Sequence, residues 1–274
     1  MNSKRILSFL NDIAANNNRA WFLTHKDEYM ACKADFEKGI DQLIHAIAQF
    51  DPSIAHLSAK DCVYRFYRDV RFSSDKSPYK RHFGAYICAK GKKSFYGGYY
   101  IHLQPGNCLV SLGAYYLPTN ILTSCRNEIM GNIDQWLECV EKPEFLNLFG
   151  RPGEGSWDGL NEASDKGFGL SRLKKAPKGF PVDYQYLNYL KLKDYTLWNK
   201  VDDGFFGNAD WIERSCNIFK VGKPMMISSI LSSETMLIES VEKSFGNSLC
   251  LNLYERLMCF HLLKSLYILF LISM

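Results

Sequence analysis

Tyr99-Tyr100-Ile101-His102-Leu103-Gln104-Pro105-Gly106-Asn107-Cys108-Leu109-Val110-Ser111-Leu112 is the stretch that decides the fold. Tyr99, Ile101 and Leu103 alternate with Tyr100, His102 and Gln104, and Cys108, Val110 and Leu112 alternate beyond the turn. A period of two belongs to strands that turn one face to a core. A hairpin symmetric about Pro105-Gly106 pairs Ile101 with Val110 and His102 with Leu109. Proline before glycine suits a two-residue hairpin turn poorly, so a longer loop is expected.

Outward from the hairpin, the whole stretch 62–116 reads as strands. Upstream, Ile6, Leu7, Leu10 and Ile13 recur at helical spacing, with Ser3 as the expected N-cap. A second helix is expected after Asn16-Asn17-Asn18, with the stripe Trp21, His25, Tyr29, Cys32, Phe36, Ile40, Leu43 and Ile47. It should end at Phe50-Asp51-Pro52, because proline biases the preceding residue away from helix. On that stripe His25 reads as a hydrogen-bonded core histidine. Downstream, Ile121, Leu122, Cys125 and Ile129 share a helical face, and Trp136, Leu137 and Val140 extend helix up to Pro143. Residues 150–159 read as loop, 187–192 as helix, 195–198 as extended and 205–219 as helix. Helices, then antiparallel strands, then mixed elements imply an α+β fold. Its antiparallel sheet is expected mainly from residues 62–116, packed by N-terminal and C-terminal helices.

The chain has 274 residues, 47% apolar and 23% charged, which excludes wholesale disorder. Nine cysteines, an odd number with no Cys-x-x-Cys, read as reduced thiols of a cytoplasmic protein rather than a disulfide framework or zinc finger. The N-terminus lacks the unbroken apolar core of a signal peptide. No cofactor and no metal are implied. Residues 1–226 read as a single domain. Residues 227–274 differ in composition, with 11 leucines and nine serines but no Asp, Ala, Pro, Gln or Trp. A reading-frame change near Met226 explains this better than a divergent helical extension. The apolar end, Leu257 to Met274, carries His261 and Lys264, which argues against a membrane span.

Charge is concentrated in one place. Between Lys60 and Lys93 lie ten lysines or arginines and three aspartates, a local excess of +7 in a chain of net charge +4. As a strand, this run would place Tyr64, Phe66, Val70 and Phe72 on an apolar face interrupted by Arg68, with Arg65, Asp69 and Arg71 opposite. A buried arginine needs a carboxylate or an anionic ligand. The favoured reading is an anion pocket formed by Arg65, Arg68, Arg71, Lys76, Lys80 and Arg81, flanked by Tyr67, Asp69, Ser73 and Tyr79. Arginine forks bind phosphate or carboxylate, and lysines add point charge. The partner would be a phosphate- or carboxylate-bearing small molecule. One alternative is a sheet that binds single-stranded nucleic acid, because aromatics interleave the charges. The other is an interaction scaffold in which these groups form structural ion pairs.

No motif assigns a reaction. Ser73-Ser74-Asp75-Lys76 fits Ser-x-x-Lys, but the companion Lys-Thr-Gly is missing. Gly-x-Ser-x-Gly, Walker, Gly-x-Gly-x-x-Gly and His-Glu-x-x-His motifs are absent. His82 and His102 are the histidine pair to inspect, and Asp165, Asp183, Asp194, Asp202 and Asp203 are candidates for a carboxylate cluster.

The chain resembles the bacterial family catalogued as domain of unknown function 2461 over about residues 4–226. The resemblance rests on Phe9-Leu10, Asn16-Asn17-Asn18-Arg19-Ala20-Trp21-Phe22 and the run Arg65 to Lys80. It continues through Gly113-Ala114-Tyr115-Tyr116-Leu117-Pro118, Ala176-Pro177-Lys178-Gly179-Phe180 and Leu190-Lys191-Leu192-Lys193-Asp194-Tyr195-Thr196. It implies one α+β domain in a bacterial cytoplasm and brings no catalytic residues with it. Similar proteins would close with a short helix where residues 227–274 begin.

Overall fold

A computed structural model describes residues 1–71, 73–115, 117–157 and 162–226. The expectations for 227–274, the frame change and the membrane span included, lie outside the described residues. Alternation along the hairpin builds β2 (Gly98–Leu103) and β3 (Cys108–Ala114), with Ile101 opposite Val110 and His102 opposite Leu109 as the pattern dictates. The loop is longer than two residues. The Asn107 N–H donates to the Gln104 carbonyl at 2.9 Å, and Gly106 has φ +70°. That is a type II turn, which takes proline second and glycine third.

β1 (Phe83–Ile87), β4 (Lys166–Phe168) and β5 (Tyr195–Val201) complete an antiparallel sheet of order β1-β2-β3-β5-β4. Two strands therefore come from beyond 62–116, and β5 sits inside the sheet beside β3. The α+β class holds.

The upstream helices are α1 (Ser3–Ala15), α2 (Arg19–Thr24), α3 (Lys26–Ala48) and α4 (Ala59–Cys62). The cap of α1 is Asn2, not Ser3: the Arg5 N–H donates to the Asn2 carboxamide at 3.1 Å. Ser3 is instead buried in the first turn, close against Gly207.

The expected second helix is two helices broken at His25. Cys32, Phe36, Ile40, Leu43 and Ile47 are the buried stripe of α3, while Phe22 of α2 stacks on Tyr79 at 4.1 Å. His25 is exposed rather than in the core. Its Nδ1 lies 2.8 Å from the Trp21 carbonyl, and its ring stacks on Trp21 at 3.9 Å.

The described residues of 64–81 are not a strand, and the expectation for Phe72 lies outside them. They form a loop tied by the bridges Val63–Ala85 and Tyr67–Tyr79. Serine and aspartate side chains compete for backbone groups that a ladder would use, and proline lacks the N–H that a ladder needs. The Ser77 N–H, for example, donates to Asp75 at 2.9 Å. Phe66 is buried while Tyr64 is exposed, so the two do not share a buried face as a strand would require.

Downstream lie α5 (Thr119–Gly131), α6 (Ile133–Val140), α7 (Pro143–Phe149), α8 (Leu187–Leu190) and α9 (211–226). Pro143 begins a helix rather than ending one, since its missing N–H is harmless in the first turn.

One sheet face buries Tyr99, Ile101, Leu103, Val110, Leu112 and Leu197 in the same cluster as Ile6, Leu10, Phe36, Ile40 and Phe219 of the helices. The opposite face carries a small cluster of Leu109, Trp157, Ala163 and Trp198. Among the described residues, no helix is long and apolar enough to cross a membrane.

Candidate functional site

The residues that alternate away from the helices include Gly84, Tyr86, Gly98, Tyr100, His102 and Ser111. Of these, Tyr86, Tyr100 and Ser111 floor a cavity of about 330 Å³ whose walls include Tyr64, Lys80, His82, Lys92, Lys93 and Phe95. Two glycines make the floor possible. A Cβ at Gly84 would stand 2.7 Å from the Tyr100 hydroxyl, and one at Gly98 would stand 2.9 Å from the Tyr86 ring. Each tyrosine ring thus lies over the space that a side chain on the next strand would fill.

The floor is polar and hydrogen-bonded. Tyr86 donates to the carbonyl of Gly113 or Tyr96, each 2.8 Å away, and Ser111 donates to the Leu197 carbonyl at 2.6 Å. The Tyr100 hydroxyl is 2.8 Å from His102 Nδ1, and His102 Nε2 is 3.0 Å from the Gln104 side-chain oxygen. The oxygen of Gln104 only accepts, so Nε2 carries the proton and Nδ1 accepts from Tyr100. Burial pushes the His102 pKa down to about 4, with Lys80 adding to the fall against the Gln104 hydrogen bond. His82 stacks on His102 at 4.3 Å and is held well below the usual range by burial, His102 and Lys80. Both imidazoles are therefore neutral at pH 7. His82 makes no hydrogen bond among the described residues, which leaves its ring available to a ligand.

The charge of the cavity wall is one-sided. Lys80, Lys92 and Lys93 line it, and among the described residues no aspartate or glutamate does. Lys80 Nζ sits 5.1 Å from the Tyr64 ring centroid, and burial, then Arg65, lowers its pKa. Lys92 donates to the Val63 carbonyl at 2.8 Å. Tyr64, Phe95 and Tyr115 are exposed at the wall. The serine and tyrosine hydroxyls of the floor are engaged, so the arrangement favours holding an anion beside aromatic surface over nucleophilic attack.

Of the cations singled out in the sequence, Lys80 alone lines this cavity. Arg68 turns into its own loop, donating to Asp75 at 2.6 Å, to the Ser77 carbonyl at 3.1 Å, to the Ser77 hydroxyl and to Ser73 Oγ at 3.3 Å. The Ser77 groups, then Arg68, hold the Asp75 carboxyl down at about 2. Arg71 forks onto Asp69, the closer contact 2.7 Å, and Lys76 donates to the Val70 carbonyl at 3.0 Å. Arg81 lies 3.9 Å from Asp75, and Arg65 is exposed with no ion pair among the described residues. Tyr67 is exposed against Phe22. Tyr79 is buried, its backbone held at both ends by the Asn17 carboxamide at 3.0 Å.

The aspartates do not gather. Asp194 is buried against backbone N–H groups, while Asp203 accepts from Gly106 and Asp202 from Gly204. Among the described residues, no three His, Cys, Asp or Glu side chains are placed to hold a metal ion.

Lys92, Lys93, Tyr64, Phe95, Tyr100 and Trp157 were not singled out as site residues from the sequence. A signal for Tyr100 existed, since alternation turned it and His102 away from the core.

The profile of a family described as conserved hypothetical protein (DUF2461) matches residues 5–227. Comparison with curated proteins and with solved structures gives no match.

Proposed function

We propose that this chain, which belongs to the DUF2461 family of conserved hypothetical proteins, binds a small phosphate- or carboxylate-bearing molecule with a flat ring in the sheet cavity. The observation that carries the reading is the wall of Lys80, Lys92 and Lys93, with no carboxylate among the described residues, beside Tyr86, Tyr100 and the neutral His82. A desolvated ammonium gains most from an anion it can pair with. The exposed rings of Tyr64, Phe95 and Tyr115 would stack on the ligand's ring. An anion beside His82 would raise its pKa, so affinity should rise as pH falls. The buried, unbridged thiols of Cys32, Cys62, Cys88, Cys108 and Cys216 suit a bacterial cytoplasm.

The test is calorimetric titration of the full chain with adenosine monophosphate, inorganic phosphate and benzoate, beside Lys80→Met and Arg68→Ala. Lys80→Met should keep its melting temperature and lose at least about tenfold in affinity, the usual scale for a charge-assisted contact. Arg68→Ala should melt lower and bind as well as the parent. Unchanged binding in Lys80→Met rejects the sheet cavity. Lost binding in a folded Arg68→Ala moves the ligand to the 65–81 loop.

The same lysines beside exposed rings support a second reading, a single-stranded nucleic acid. It requires affinity for a short oligonucleotide to fall steeply with salt, and a flat response rejects it.

A further inference from the structure

We infer that a second cavity, of about 700 Å³ between α5 and the 170–178 segment, binds a carboxylate on an apolar body, with Arg126 as its anion contact. The inference does not rest on the sheet cavity, although Tyr115 and Trp157 line both.

Arg126 projects from α5 and is only 4% exposed. Its Nε donates to the Leu190 carbonyl at 2.6 Å and its Nη2 to the Leu192 carbonyl at 2.9 Å. Both acceptors are neutral, and Arg126 makes no ion pair among the described residues. A guanidinium has five N–H donors and stays charged at neutral pH. The two carbonyls occupy one edge of the fork and leave the Nη1–Nη2 end without an acceptor among the described residues. A buried charge in this state calls for an anion.

Among the described residues the wall holds one carboxylate, Asp194, and it is otherwise engaged. Its oxygens accept from the backbone N–H groups of Leu170 at 3.0 Å, Ser171 at 3.1 Å and Thr196 at 3.2 Å. Trp157 adds a buried indole N–H without a partner among the described residues. The rest of the lining includes Leu117, Leu122, Leu170, Leu173 and Pro177, with Lys178 and Lys193 exposed at the rim. Thr119, Thr123 and Ser171 also line the cavity, and one fixed cationic fork with an apolar side of leucines and proline matches a monocarboxylate with a hydrocarbon body.

The probe is hexanoate, titrated into the full chain at fixed ionic strength, with inorganic phosphate as the comparison. Arg126→Gln should weaken hexanoate at least about tenfold, the loss of one charge-assisted fork. Because Arg126 ties α5 to the chain entering β5, that variant can fail to fold. The charge reversal Lys178→Glu with Lys193→Glu, at exposed positions, then decides. It should keep the melting temperature and weaken hexanoate severalfold, while Lys80→Met leaves hexanoate unaffected. Absence of hexanoate binding in the parent, or unchanged binding in the lysine reversal, overturns the inference. Tighter binding of phosphate than hexanoate, lost in the same variants, overturns the apolar-bodied carboxylate.

Discussion

On β2, Tyr99, Ile101 and Leu103 turn toward the helices while Tyr100 and His102 turn away, and His102 is as deeply buried as Ile101. Burial therefore does not distinguish the two faces of this sheet; the chemistry of what is buried does. The helix face is held by removal of apolar area from water, which tolerates little loss of volume. The open face buries hydroxyls and imidazoles, and each of Tyr86, Tyr100, His102 and Ser111 has a hydrogen-bond partner. Such a floor contributes less to stability and more to a fixed polar surface.

The largest expected effect breaks the helix face. Ile101→Ala should lose about 2–5 kcal/mol in urea denaturation, the range for truncating a fully buried aliphatic. Across the sheet, Ser111→Ala removes one hydrogen bond to a carbonyl and should lose about 1 kcal/mol. Equal losses would end the distinction between the faces.

An acid titration sharpens the comparison next. His102 titrates at about 4 in the folded chain against 6.5 for an ordinary histidine. Between those values the unfolded chain binds the extra proton, so stability is full above about pH 6.5 and falls as the pH drops toward about 4. The total is on the order of 3 kcal/mol for this one group. His102→Gln should flatten that limb of the urea midpoint against pH. An unchanged limb would place the acid sensitivity elsewhere.

The sequence made the helix face legible because its signals are local. Alternation in the hairpin set the partners of Ile101 and His102, and the spacing of Cys32, Phe36, Ile40, Leu43 and Ile47 set the stripe of α3. The break at His25 was hidden because Trp21, His25 and Tyr29 continue the same spacing through a capped turn. The 64–81 loop was misread as a strand because its shape depends on distant anchors: Asn17 holds Tyr79 from 62 residues away.

The open face was the least legible for a related reason. Its wall draws Lys80 and His82 from one segment, Lys92 and Lys93 from another, and Thr196 from β5, which pairs with β3 far along the chain. Charge density pointed to the 65–81 loop, whereas of the cations singled out there Lys80 alone lines the sheet cavity. Arg68, the most buried of the loop's arginines by its bonds, finds Asp75 seven residues on, within reach of a local turn. Among the described residues Lys80 has no such partner and lines the sheet cavity instead.

The smallest stability effect separates the faces most cleanly. Phe95 is 44% exposed and Tyr64 36% exposed, and both stand at the cavity wall. Truncating exposed side chains away from any cap or network changes stability by less than about 0.5 kcal/mol. Phe95→Ala should therefore leave the melting temperature where it is. On the proposed function it should still weaken adenosine monophosphate severalfold, since stacking on an aromatic ring contributes about 1–3 kcal/mol per base. It should leave inorganic phosphate, which has no ring, unaffected. A melting temperature that falls together with the affinity for both ligands would show that the ring supports the wall, not the ligand. A selective loss would mark the open face as a surface whose exposed aromatics recognise a partner, whereas no residue of the helix face can be truncated without loss of the fold's own stability.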